Sequence, residues 1–476
     1  RSVKETSMNK PLIDKTVQVE EISWPEFGVG ERPAMVSLEE LQSRLQMIRT
    51  AMKSKGFSHM VIYGDREHFA NLTWATNIDP RFEEALLILR GHGAPLMLVG
   101  NECQGYLPFS PLYNAGEMRG ETYQSFSLLS QPRDNSRRLK DIFIDEGMTE
   151  QSKVGSVGWK YFIEGEEDDH QHTIDLPSFI TDAARAIVGF TNVINANDLF
   201  MDPAYGFRTS ASASEIAYFE YSNAKSSEGV RKMLFGLKED MTDHQFSALS
   251  QWDGEPLGCH PTLASGDLPG LSSPQGRTLK LGEVLSFNLC YWGSNICRAG
   301  WVARSSDDLP REAQDYIKAF AGPYFKAMAQ WFSALKIGAK GGLFHDIIHD
   351  QLPFDQFGIF LNAGHLIHLD EWVSSPIYKG SDLPIRSGMV FQVDVIPSSS
   401  LYGSTRMEDG IFIADDKLQN QLKEKYPDCY ARCLARREFM RNTLGFEVSD
   451  DVLPMSNIPA IVPPWFLAPN KVLVLR

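Results

Sequence analysis

Long apolar runs are missing from this chain. None approaches the roughly 18 consecutive apolar residues that a membrane-spanning helix needs, so no bilayer-embedded segment is expected. Basic charge is in deficit: 46 Lys and Arg face 61 Asp and Glu, a formal charge of −15. A surface of that sign repels phosphate, which argues against nucleic acid and membranes as partners. Cysteine is sparse, with 6 in 476 residues and no C-x-x-C pair, and Cys429 and Cys433 are spaced for one helical face. That usage suits a reduced, cytoplasmic protein and not a disulfide framework. No G-x-G-x-x-G leads from a strand into a helix and no G-x-x-x-x-G-K-[ST] occurs, so dinucleotide and P-loop chemistry find no support. Self-similarity at a period of about 20–50 residues is absent, which excludes solenoids and propellers. The opening RSVKETSMNK has neither an apolar core nor a cleavage site, so no leader is expected in it.

What is present is an ordinary globular composition, 43% hydrophobic and 22% charged, in a length that suits two or three domains. The opening to Val36 is broken by Pro and Gly and is expected to wrap a domain as an extension, residues 1–36. Ser37 stands as N-cap before a helix with Leu41, Leu45, Ile48 and Met52 at helical spacing and Gly56 as terminator. The runs HMVIYG, EALLIL and PLMLVG read as strands, followed by a helix in RLKDIFIDEG and a strand in KVGSVG. This alternation predicts an α/β N-terminal domain over 37–207. A second domain, 208–476, opens on two capping boxes, Ser212-x-x-Glu215 and Thr242-x-x-Gln245. Strands follow in TLKLGEVLSFNLCYWG and ICRAGWVAR, then one helical stretch from Pro310 to Leu335. Strands return around FGIFLNAGHLIHL, GMVFQVDVIP and DGIFIAD, and the tail is helical from Leu418 to Arg441. Helices, strands, helices, strands in that order predict an α+β domain.

A polar group in an apolar strand needs a reason to be there. The second domain supplies several such groups: His260, Asn288, Asn295, His365, Asp394, Arg406 and Glu408. Singly, each is most simply a hydrogen-bonded core group. As a set they mark a candidate site.

Taken in order, EIAYFEYSNAKSSEGVRKMLFGLKEDMTDHQF, NAGHLIHL, GMVFQVDVIP and RMEDGIFI resemble the pita-bread domain shared by creatinase, aminopeptidase P, prolidase and methionine aminopeptidase. The segment ANLTWATNIDPRFEEALLIL resembles the creatinase-type N-terminal domain. The resemblance covers most of the chain and implies a pita-bread second domain, a homodimer and a small-molecule substrate. In the family's metallopeptidases two Asp, one His and two Glu hold two divalent ions. The matching positions here are Asn288, Asn295, His365, Asp394 and Glu408. Two carboxylates have become amides, so the formal charge falls from −4 to −2. Asp394 is also a methylene shorter than the family's Glu, about 1.5 Å of reach, where coordination tolerates about 0.2 Å. That charge is enough for one divalent cation at most, charge and reach together predict no dinuclear site, and no metal or other cofactor is expected.

The match is nearest to creatinase, which works without metal. It shares an Asn at position 288 and a His in a Gly-Ala-His-Asn-Pro context like Gly258-Cys259-His260-Pro261. The resemblance implies His260 as general acid/base, a role imidazole suits near neutral pH. Asp394 and Glu408 would hold the cationic part of a substrate, with Asn288, Asn295 and His365 around it. Cys297 stands where creatinase has a substrate-holding Glu, and Glu408 where it has a second His. Trp372, with Asp370 and Glu371, replaces the His that metallopeptidases use beside the scissile bond, which puts these three at the pocket rim. Arg81 and Phe82 lie in the segment that in creatinase reaches across a dimer into the partner's pocket. Arg298, Arg386 and Arg406 are candidates for a substrate carboxylate, and Cys297 with His260 is a candidate nucleophile. His365 and His368, three apart on a strand, face opposite sides and form no pair.

Three functions are therefore in play. The leading expectation is a metal-independent hydrolase of a C–N bond in a small zwitterionic metabolite. The second is a mononuclear-metal Xaa-Pro peptidase or lyase built on His365, Asp394 and Glu408. The third is a non-catalytic homologue that binds a small molecule or peptide.

Overall fold

The computed structural model describes residues 11–34, 36–268 and 270–476, so the first ten residues of the expected extension lie outside the described residues. The remainder of the extension supplies strand β1 (Val17–Glu21). It pairs antiparallel with the C-terminal strand β16 (Lys471–Leu475), Val17 opposite Leu475 and Glu21 opposite Lys471. The described residues form two compact units, Ala34–Arg208 and, joined by that pairing, residues 11–33 with Thr209–Arg476.

In Ala34–Arg208 a helix spans Leu38–Lys55. The Ser37 hydroxyl accepts the Glu40 N–H at its start, a cap contributing about 1 kcal/mol, and Gly56 ends it in the left-handed region at φ 73°. Six strands follow: β2 (His59–Gly64), β3 (Ala85–Arg90), β4 (Leu96–Val99), β5 (Arg119–Thr122), β6 (Val154–Val157) and β7 (Val193–Asn195), in the sheet order β5-β4-β3-β2-β6-β7. Pairs β2–β3 and β3–β4 are antiparallel, while β4–β5, β2–β6 and β6–β7 are parallel. Every residue of β2, β4 and β6 is buried, which is why β4, Leu-Met-Leu-Val, reads as continuously apolar instead of alternating. Val61, Leu86, Ile88 and Leu98 pack with Ile142, Phe143, Ile180 and Val188 from two helices.

In the other unit both capping boxes form, starting the helices Ala213–Gly236 and Asp243–Ala248. Strands β8 (Leu263–Ser265), β9 (Val284–Tyr291), β10 (Ser294–Trp301) and β13 (Arg406–Glu408) make one sheet in the order β13-β10-β9-β8. Strands β11 (His365–Leu366), β12 (Val390–Gln392), β14 (Gly410–Ile413) and β15 (Val452–Pro454) make a second, in the order β11-β12-β14-β15.

Proline explains two departures from the expected helices. The stretch from Pro310 is a 3-10 turn at Arg311–Ala313, a π-helical turn at Ile317–Ala321, and an α-helix only over Gly322–Ala334. Pro323 has no N–H to donate to the preceding turn, so a regular helix cannot run through it. The tail breaks the same way at Tyr426, giving Asp416–Lys425 and Pro427–Phe439. The run FGIFLNAGHLIHL yields only the two-residue β11, and Phe360 is left 78% exposed. A helix at Gly341–Gln351, opening on two glycines, has no counterpart in the sequence reading.

Candidate metal-binding active site

Strand pairing sorts the polar strand residues into rows. Asn288 of β9 lies opposite Cys297 of β10, and Cys297 lies opposite Glu408 of β13. Asn295, two residues before Cys297, shares its face. In the other sheet His365 lies opposite Gln392, and Asp394 follows just beyond the end of β12.

The first sheet carries a closed ladder of amides. Asn288 Oδ1 accepts the Thr262 N–H at 2.6 Å, and Asn288 Nδ2 donates to Asn295 Oδ1 at 3.1 Å. Asn295 Nδ2 in turn donates to Glu408 Oε1 at 3.1 Å. Gln392 Nε2 donates to the same Glu408 oxygen at 3.3 Å and to the Asn295 carbonyl. All four side chains are buried.

The facing side does not close. His365, Glu371, Asp394 and Glu408 each offer a ligand atom, and these atoms lie within 4.8 Å of one another. His365 Nδ1 is 3.1 Å from the Leu366 carbonyl, which only accepts, so Nδ1 carries the hydrogen and Nε2 faces the cluster. Nε2 lies 3.1 Å from Glu371 Oε1 and 3.5 Å from Asp394 Oδ2, but at angles that make a hydrogen bond to neither. Asp394 Oδ1 and Gln392 Oε1 also lack partners. A buried polar atom left unpaired costs about 1–3 kcal/mol, and His365, Gln392 and Asp394 each carry one.

Crowded negative charge governs the titration of the cluster. Burial would lower the pKa of His365, but Glu371 and Asp394 reverse this and hold it well above the ordinary imidazole value. Burial pushes the Glu408 carboxyl well above its usual range, and Asp394 and Glu371 add to that. Asp394 goes the other way: burial would raise it, yet His365 and Arg406 hold it below.

The family's paired ions do not fit this arrangement, because Asn295 turns an amide N–H donor toward Glu408 and Asn288 turns one toward Asn295, where a second cation would be repelled. A single divalent ion does fit. Atoms on one ion at about 2.0–2.2 Å lie no more than roughly 4.3 Å apart, a small contraction from the observed spread. Two expectations change with this. Glu371 raises the carboxylate charge from −2 to −3, and the shorter Asp394 still reaches the cluster.

The other candidate residues fall in different surroundings. His260 is exposed and has no hydrogen-bond partner among the described residues, although the sulfur of neighbouring Cys259 accepts from Asn288 Nδ2 at 3.5 Å. Cys297 is buried and accepts from Arg406 at 2.9 Å. Burial pushes its thiol up to about 12, against the pull of Arg406, so it is no neutral-pH nucleophile. Arg406 is also close to Asp394 and Glu408. Arg298 is fully buried on both oxygens of Asp409 at 3.0 Å and on the carbonyls of Ile458 and Ile461, which makes it an anchor and removes it from the substrate candidates. Arg386 donates to Thr209. His368 is paired with Glu215, away from His365. Trp372 stacks on His365, with ring centroids 3.9 Å apart and planes at 18°. Arg81 and Phe82 belong to Ala34–Arg208; Arg81 is held at φ 57° beside Asp79, and Phe82 is 49% exposed. Sequence reasoning missed Gln392 as a site residue and left Glu371 at the rim.

No model of a known protein family matches the sequence, and no curated protein sequence does. Solved structures do match. The prolidase of Thermococcus sibiricus gives a TM-score of 0.61 at 16% identity, covering 80% of this chain and 96% of its own. The Xaa-Pro dipeptidase of Bacillus anthracis gives 0.59 at 13%, covering 79% and 96%. The N-terminal domain of the FACT complex subunit SPT16 from Cicer arietinum gives 0.55 at 14%, covering 80% and 95%. At such identities the likeness establishes the fold alone.

Proposed function

We propose that this chain, whose fold is the pita-bread architecture of the prolidases, is a hydrolase cleaving a C–N bond in a small substrate around one divalent cation held by His365, Asp394 and Glu408. The observation that carries this reading is the gathering of ligand atoms from buried His365, Asp394 and Glu408 within 4.8 Å of one another, with no hydrogen bond made by His365 Nε2. Such an ion, when bound, polarises a carbonyl and makes a bound water acidic enough to act near neutral pH.

The chain's own groups have separable tasks. Asn295 and Gln392 fix Glu408 by two N–H donors on one oxygen, which leaves the other oxygen for the cluster. Arg406 supplies a permanent positive charge beside Asp394 and Glu408. His260, exposed next to the amide ladder, takes and returns the substrate proton. The expectation of no metal rested on a charge of −2, which already admitted one divalent ion, and Glu371 raises that charge to −3. The homodimer implied by the resemblance belongs to the same proposal, and light scattering at twice the chain mass would support it.

The test is turnover of Xaa-Pro dipeptides and small amides after exhaustive chelation. Activity lost on chelation and recovered at one equivalent of Mn2+ per chain supports the reading. Activity that survives chelation returns the protein to metal-free chemistry, and recovery only at two equivalents returns it to a paired-ion peptidase.

A further inference from the structure

We infer that Glu371 is a fourth ligand, a carboxylate delivered by a turn in place of those lost from the β9–β10 hairpin at positions 288 and 295. The inference rests on the single-ion reading above and deepens it. Its ground is geometric. Glu371 Oε1 is 3.1 Å from His365 Nε2, and Glu371 lies within 4.8 Å of the ligand atoms of Asp394 and Glu408. A rim carboxylate would point to water, yet the Glu371 side chain is only 23% exposed. The independent sign is that the fully buried His365 Nε2 is aimed into the acidic group, 3.1 Å from Glu371 Oε1 and 3.5 Å from Asp394 Oδ2, yet makes a hydrogen bond to neither, the arrangement of atoms that share an ion.

The turn that carries Glu371 is held at both ends. Leu366 N–H donates to the Ser374 carbonyl at 2.8 Å, and Val373 N–H returns to Leu366 at 3.0 Å. His368 N–H donates to the Asp370 carbonyl at 3.2 Å inside the turn. Because β11 begins at His365, the same hairpin fixes the imidazole and the carboxylate relative to each other. Trp372 completes the clamp by covering the face of the His365 ring while Glu371 meets its edge. Ligands held this way need little reorganisation to bind.

Charge agrees with geometry. Three carboxylates against the Arg406 guanidinium leave two negative charges, which one divalent ion cancels. One imidazole with three carboxylates is an oxygen-rich set, suited to Mn2+ or Fe2+ more than to metals that prefer thiolate.

The experiment titrates chelated full-length protein with Mn2+ and reads the free ion by its electron paramagnetic resonance signal. Wild type is expected to bind one ion, and His365→Ala none. Glu371→Gln is expected to weaken binding by at least about tenfold, the lower end of what loss of even an outer-shell partner costs, without lowering the apo melting temperature. Glu371→Asp, which keeps the charge but shortens the reach, is expected to fall between the two and serves if the Gln variant does not fold. Glu371→Gln binding within threefold of wild type, with His365→Ala still dead, overturns the ligand role and leaves the single-ion reading standing. Wild type binding no ion overturns both.

Discussion

The two sides of the site satisfy their buried polar atoms in opposite ways. On the β9–β10 side, Asn288 and Asn295 pass hydrogen bonds from the Thr262 N–H to Glu408 without a gap. On the β11–β12 side, His365 Nε2, Asp394 Oδ1 and Gln392 Oε1 are buried without a hydrogen bond, although Nε2 lies 3.1 Å from Glu371 Oε1. A polar network that closes on itself leaves no atom for a cation, whereas one that stays open leaves atoms for a bound ion or water. One fold thus holds a closed amide ladder beside an open acidic cluster.

Breaking the closed side should have the largest effect. Asn288→Asp with Asn295→Asp replaces the donors by carboxylates and is expected to raise the ion count from one to two per chain by elemental analysis. The apo form of that variant should lose about 3–5 kcal/mol in urea unfolding, the scale for uncompensated buried charge. An unchanged count with unchanged apo stability would mean that the amides do not control metal number. His260→Ala tests the proton-transfer role alone. Its kcat should fall roughly 10²–10⁴-fold while one ion per chain is kept, and turnover within threefold of wild type rejects the role. Asn295→Leu is the smallest change. It strips one partner each from Asn288 and Glu408, an expected cost of about 1–3 kcal/mol with the ion retained. Complete loss of the ion would show that the two sides are not separable.

The parts of this architecture that local chemistry dictates were legible before any coordinates. Ser37 with Gly56, and the Ser212 and Thr242 boxes, announce helices because the cap residues act within a few positions of themselves. Asn288, Asn295, His365, Asp394 and Glu408 stood out as polar residues in apolar runs and through family resemblance. Gln392 carried a weaker form of the same signal, two residues before Asp394, and was passed over. Glu371 was placed only at the pocket rim, since an acidic pair before a Trp in an irregular segment carries no mark of a ligand. Only the closure of Leu366 on Ser374 brings it beside His365. The role of Arg298 was equally hidden, because its partners at Asp409, Ile458 and Ile461 come together only in the tertiary fold.

Anomalous scattering from crystals grown with Mn2+ tests the central claim most directly. A single peak among His365, Asp394 and Glu408, with the Asn288 and Asn295 amides still bonded to each other, is the predicted result. Two peaks bridged at that spot, or none at saturating Mn2+, would contradict it.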